Sequence, residues 1–397
     1  MSDWRRASGE RKTMVGRLPG SSAVVQIEYD GFLSSVDELI RPPETGEYVA
    51  PGFVDLQVNG FAGVDYNDPS SSAEQIAASV QTMFTTGVTR FFPTIITGSE
   101  ERMSGALRNL TKAKREFAQN GIPEAEALEA FHVEGPHISL DDGPRGAHSR
   151  EHVRPPNFDE FQRWQEAADG NIRLVTISPE WDEAPDYIGR LVRSGVVASI
   201  GHTKATGGQI AAAVSAGASM STHLGNAAHP TLPKINNYIW QQLAEDRLAA
   251  GFIADGIHIP EPFFRSAVRA KGVERSVLVT DAVMPAMCEP GPYRLGQIDV
   301  ELRSNGSVVM PGTTRLAGSA LRMDHAIGNT VRMCQISLRD ALTMATTNAA
   351  RAGRIAGRQR GLSTGEKADV VKFRWDESAS RLTVLETVVS GSKVYGI

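Results

Sequence analysis

Four side chains able to bind a metal or carry a proton stand at the ends of short apolar runs. Glu134 follows His132-Val133 and precedes Gly135-Pro136, and His202 closes the run 196–201. His223 closes 219–222 and Asp281 closes 277–280. Two imidazoles and one carboxylate leave a divalent metal with an open position for water, as in catalytic zinc sites. The spacing of 21 residues between His202 and His223 allows a loop, a short helix and the next strand. A lone histidine is as often a hydrogen-bonded structural residue, and Asp281 alone reads equally as the cap of a following helix. Four such residues ending four runs weigh against four unrelated structural roles, and a metal site needs a proton carrier beside it.

Other residues carry weaker signals. His148 lies in the loop GPRGAHS, where it either reaches over a strand end to polarise a carbonyl or is exposed to solvent. His258 in ADGIHI is either a substrate contact or structural, and Asn226-Ala227 could offer a side-chain amide and a backbone N–H to a ligand. His137 and His229 flank the same loops, while His132, His152 and His325 read as structural or exposed. The stretch 60–63, GFAG, lacks the spacing of a phosphate-cradling loop.

The elements that must position these groups alternate along the chain. Apolar runs occupy 53–57, 90–94, 128–134, 173–178, 196–202, 218–223, 248–255 and 276–281. Helical spacing of apolar residues fills stretches between them, such as 72–85, 100–119, 183–193 and 208–216. Alternating strands and helices predict a parallel sheet, closed as an eight-stranded (β/α)8 TIM-like barrel or left open and doubly wound. In a closed barrel the C-terminal strand ends converge on one face, which would gather the four residues. The chain ends read differently, as short strands in 22–51 and a hairpin in 368–395 around 376–380. Neither end could bury a core alone, so both are expected to share a small β-sandwich domain. The division is then 1–51 and 356–397 for that domain and 52–355 for the barrel, with about the first twenty residues poorly ordered.

The 397 residues are 41% hydrophobic and 22% charged, the balance of a folded globular protein. A net charge of -5 gives no broad basic surface, which argues against nucleic acid as a partner. No long apolar run suggests a membrane span, and the basic N-terminus has no apolar stretch behind it. Two isolated cysteines, Cys288 and Cys334, suit a reduced cytoplasm.

A set of motifs occurs in order: PGFVDLQVNG (51–60), HVEGPH (132–137), GHTKAT (201–206), THLGNA (222–227), ADGIH (254–258), LVTDA (278–282) and LAGSAL (316–321). With MATTNAAR (344–351) and GEKADVV (365–371), the chain from about 51 to 373 resembles the N-acetylglucosamine-6-phosphate deacetylases of the amidohydrolase superfamily. The resemblance implies a barrel with a small β domain, a homodimer or larger assembly, and hydrolysis of an amino sugar's N-acetyl group. It implies metal ligation by Glu134, His202 and His223, catalysis by Asp281, carbonyl polarisation by His148, and substrate contacts at Asn226, Ala227 and His258. At the end of the first strand, Gln57-x-Asn59 replaces the His-x-His that binds a second metal in most amidohydrolases. One divalent ion per subunit is therefore expected: zinc first, with iron, manganese or cobalt able to use the same ligands. Lys234 stands where the family carries an arginine that grips the sugar phosphate, a point charge in place of a bidentate fork. The expected substrate is N-acetylglucosamine 6-phosphate, the alternatives an unphosphorylated or different N-acyl sugar or, in another class, a non-catalytic scaffold.

Overall fold

In the computed structural model, which describes residues 11–296 and 298–396, the eight apolar runs form one parallel sheet. Its strands are β1 (Phe53–Val58), β2 (Val88–Ile96), β3 (Phe131–Glu134), β4 (Ile172–Ile177), β5 (Val197–Ile200), β6 (Met220–Ser221), β7 (Ala249–Ile253) and β8 (Ser276–Val279). They pair in chain order, and the sheet closes where β8 ends beside β1. There the Asp281 amide donates to the Gln57 carbonyl at 2.9 Å and Val58 bridges Ala282 in parallel. This is the closed barrel, and the open doubly wound alternative falls away.

Strands buried on both faces must be apolar on both faces, and every residue of β1, β3, β5 and β8 is buried. The helices packed outside them start at defined points. Ser72 and Gln75 form a reciprocal capping box at the helix Ala73–Phe84, and Thr206 and Gln209 form another at Gly207–Ser215. Such caps set how long each loop at the strand ends can be.

The two chain ends meet in a seven-stranded sheet. Its strand Glu47–Pro51 lies parallel to Lys12–Arg17 and antiparallel to Val370–Asp376. Met14, Val25, Ile27, Val49, Val370 and Val388 pack into a separate apolar cluster there. The expectation of a poorly ordered start fails from residue 12 onward. Lys12–Arg17 pairs along its whole length with Val24–Tyr29, because its Met14 belongs to that cluster. The first ten residues of that expected stretch, 1–10, lie outside the described residues.

One feature was not expected. Between β8 and the last helices, a four-stranded antiparallel sheet runs through Gly291–Leu295, Ile298–Leu302, Ser307–Val309 and Leu316–Ser319. It has its own small cluster of Val283, Val300, Leu302, Val308 and Ala317. Among the described residues, no helix is long and apolar enough to cross a membrane.

Candidate metal centre and active site

The C-terminal ends of β3, β5, β6 and β8 bring Glu134, His202, His223 and Asp281 together. Glu134 Oε1 lies 3.1 Å from His202 Nε2 and 2.9 Å from His223 Nε2, and the two ring nitrogens are 3.1 Å apart. All three residues are buried, and their ligand atoms lie within 4.8 Å of one another. His202 Nδ1 donates to the Pro144 carbonyl at 2.9 Å, which leaves the lone pair on Nε2, facing the other two. Two nitrogens and a carboxylate oxygen aimed at one point suit a cation between them, so this donor set fits a divalent metal.

The backbone is unusual at the same places. His202, His223 and Asp281 have φ of 50°, 27° and 51°, in the left-handed region that side-chain-bearing residues seldom adopt. Each costs on the order of 1–3 kcal/mol and persists only where the surroundings over-determine it. The turn just past each strand end aims the side chain inward.

Around this core the amides matter. Gln57 Nε2 donates to Glu134 Oε1 at 2.8 Å and to Asp281 Oδ1 at 3.1 Å, and Asn59 Nδ2 donates to the same Asp281 oxygen at 2.6 Å. The opposite orientation of the Gln57 amide would set its oxygen against two carboxylates. Burial, then the charge of Glu134, push the Asp281 carboxyl up to about 6. Burial would also raise Glu134, but the close contacts of His202 and His223 with it outweigh that effect and hold the carboxyl well below its usual range. The helix-cap reading of Asp281 fails, because the residues after it enter the antiparallel sheet and its carboxylate takes amide donors instead.

His148 is buried, its ring 4.4 Å from that of His202, and Nδ1 lies 2.7 Å from Thr97 Oγ1. Burial is the main cause of its low pKa, about 3, so the ring is neutral. The solvent-exposed alternative for His148 is excluded. His258 Nδ1 donates to Asp255 Oδ2 at 2.6 Å, and Asn226 Nδ2 donates to the His223 carbonyl at 3.1 Å. A cavity of about 950 Å³ opens over the centre, and Asn226, Ala227, His148 and His258 all line it. Lys234 does not: it is exposed, on the loop before the helix Tyr238–Ala244, outside the lining of that cavity.

Several residues escaped the sequence reading. Thr97 follows β2 with no strand-end histidine or acid to mark it. Asp255 holds His258 and lies in the quoted motif ADGIH, where it could have been found. Asp55, buried and pushed up to about 7 by burial, accepts from the Thr280 hydroxyl at 2.5 Å and pins the end of β8 to β1. The antiparallel sheet supplies a further wall through Leu295, Gly296, Ile298 and 313–318. His132, by contrast, is structural: it is buried beneath Glu134 with Nε2 2.7 Å from Thr176 Oγ1.

The profile of the Amidohydrolase family matches residues 48–394. Over 352 residues the chain is 33% identical to the N-acetylglucosamine-6-phosphate deacetylase of Bacillus subtilis (strain 168), covering 86% of each chain. It is also 33% identical over 360 residues to the N-acetylgalactosamine-6-phosphate deacetylase of Shewanella sp. (strain ANA-3), covering 88% of this chain and 84% of that one. Among solved structures it resembles the N-acetyl-D-glucosamine-6-phosphate deacetylase of Mycobacterium smegmatis. The TM-score is 0.85 at 28% identity, over 97% of this chain and 100% of that one, whose variant was solved with N-acetyl-D-glucosamine-6-phosphate bound.

Proposed function

We propose, from the premise that this chain belongs to the amidohydrolase family, that it hydrolyses N-acetylglucosamine 6-phosphate to glucosamine 6-phosphate and acetate. It is a metal-dependent deacetylase, so the scaffold alternative is set aside. The observation that carries the substrate reading is the meeting of Glu134, His202, His223, Asp281 and His148 at one cavity, in a chain 33% identical to a deacetylase of that sugar.

A divalent metal held by Glu134, His202 and His223 would supply a Lewis acid that acidifies water and polarises a carbonyl. Asp281 takes the proton of the attacking water and passes it to the departing nitrogen, a task suited to a carboxyl pushed up to about 6. His148, a neutral imidazole on the cavity wall, donates to the amide carbonyl oxygen as negative charge gathers there. Asn226, Ala227 and His258 hold the sugar. One metal per subunit is supported by Gln57 and Asn59, whose amide hydrogens point into the place a second cation would need. Zinc is our first choice for it, ahead of iron, manganese or cobalt.

A second reading, an unphosphorylated or different N-acyl sugar, is favoured by the position of Lys234 outside the cavity lining. Steady-state kinetics of the metal-loaded protein with N-acetylglucosamine 6-phosphate and plain N-acetylglucosamine decide between them. We expect the phosphorylated sugar to have the higher kcat/KM, and equal or reversed values would overturn that choice. In the same assay Asp281→Asn should keep its metal by elemental analysis while kcat falls about 10²- to 10⁴-fold. Full turnover in that variant would remove Asp281 from the mechanism.

We read the assembly as a homodimer, supported by exposed Ile235 and Trp240 beside Lys234, and measurable by light scattering. A cytoplasmic location is supported by the unpaired state of Cys288 and Cys334.

A further inference from the structure

We infer that Thr97 is a positioning residue that sets the tautomer of His148, leaving the ring's single proton on Nε2, the nitrogen free to meet the substrate's amide carbonyl. This rests on the reading of His148 given above and names what makes it work.

Thr97 directly follows β2, a barrel strand that sends no metal ligand or acid to the centre. Its hydroxyl lies 2.7 Å from His148 Nδ1 inside the cavity wall, and both residues are 7% exposed. A hydroxyl has one proton and two lone pairs, and a neutral imidazole has one N–H and one lone pair. Among the described residues, His148 Nδ1 is the hydrogen-bond partner of this hydroxyl. Unless the hydroxyl donates to Nδ1, its proton has no acceptor among the described protein groups. Donation requires a bare Nδ1, so the ring proton sits on Nε2. The opposite tautomer would face a carbonyl oxygen with a lone pair and repel it.

The surroundings are shaped for this contact. Gly135 directly follows the ligand Glu134, at φ +90°, and a Cβ there would lie 2.1 Å from Thr97 Oγ1. Glycine is thus the residue that lets the threonine reach the histidine while Glu134 keeps its place. The backbone of His148 is held separately: Arg145 Nη1 donates to its carbonyl at 2.7 Å, and Arg315 donates to the Gly146 carbonyl. Those bonds fix where the loop lies. Among the described residues, Thr97 alone addresses which ring nitrogen carries the proton.

The test uses the full-length, metal-loaded chain and two variants. Thr97→Val keeps the shape and removes the hydroxyl, and Thr97→Ser keeps the hydroxyl. We expect Thr97→Val to lose about 10- to 100-fold in kcat with KM and metal content near wild type, and Thr97→Ser to restore most of it. Nitrogen-15 NMR of the histidine rings gives a readout independent of turnover. In the wild type and Thr97→Ser, His148 should show a pyridine-type Nδ1 and a protonated Nε2, and Thr97→Val should lose that bias. A protonated Nδ1 in the wild type overturns the inference, as does a wild-type kcat in Thr97→Val. Equal losses in the Val and Ser variants reduce Thr97 to a packing role. If the wild type fails to deacetylate N-acetylglucosamine 6-phosphate, the substrate reading fails, and the NMR result still decides Thr97.

Discussion

At the scale of single residues, the busiest group in the centre is an amide. The two hydrogens of Gln57 Nε2 go to different carboxylates, 2.8 Å to Glu134 and 3.1 Å to Asp281. One side chain therefore orients both a metal-facing oxygen and the acid beside it, in a buried place where each donated bond to a charged acceptor is worth more than in water. Gln57→Met keeps length and apolar stem and removes both bonds. Metal affinity should fall about 10- to 100-fold, measured by titration against a competing chelator. Unchanged affinity would mean that the amide fills space and orients nothing. The residues at strand ends could be read from the chain because their chemistry and their position coincide. Thr97 could not: it lies 51 residues from His148, and an unremarkable threonine gains meaning only through that partner. Gln57 and Asn59 were visible only as departures from a family pattern, which says what is missing and not what the amides do instead.

At the scale of elements, all eight barrel strands were legible, because a strand buried on both faces writes itself as a continuous apolar run. Boundaries were less so: the run 218–223 contains just two residues of regular strand, Met220–Ser221. The antiparallel sheet after β8 was missed for the converse reason. Gly291–Leu295 alternates half-buried and exposed residues, so its apolar signal is thin. A signal did exist in Asn305-Gly306, a turn pair that joins Ile298–Leu302 to Ser307–Val309. The turn after β3 offers a test of how tightly elements hold the centre. Gly135→Ala would require a side chain at φ +90° and a Cβ 2.1 Å from Thr97 Oγ1. The backbone conformation alone costs on the order of 1–3 kcal/mol. We expect a lower unfolding midpoint together with a kcat loss at least as large as that of Thr97→Val. A stable, fully active variant would show that β2 and β3 move apart freely, against the rigid placement argued here.

At the scale of the whole molecule, the barrel and the shared end domain are joined by buried charge. Arg90 on β2 donates to both oxygens of Asp369, at 2.7 and 3.1 Å, across 279 residues, and Arg358 Nε lies 3.1 Å from the same carboxylate. The Ser390 amide adds a bond of 2.7 Å. Arg90, Arg358 and Asp369 are at most 2% exposed. Burial would push the Asp369 carboxyl up, but Arg90 and Arg358 outweigh it and hold it at about 2. Its folded value is thus below the ordinary 3.8, so its contribution is fully present above about pH 4 and is lost as pH falls toward 2. The shift corresponds to something on the order of 2 kcal/mol. Asp369→Asn keeps the shape and leaves the buried Arg358 without its carboxylate, while Arg90 keeps Glu126 and Glu129, so near pH 7 it should cost about 3–5 kcal/mol. As pH falls from about 4 toward 2 that linked contribution disappears, so the gap between the two proteins should narrow by about 2 kcal/mol. Urea unfolding of both, made metal-free with chelator so that ligand protonation does not enter, measures the gap at each pH. A gap that stays constant from pH 7 to pH 2 would show that Asp369 is not charged in the native protein, and that the two ends of the chain are held to the barrel by packing instead.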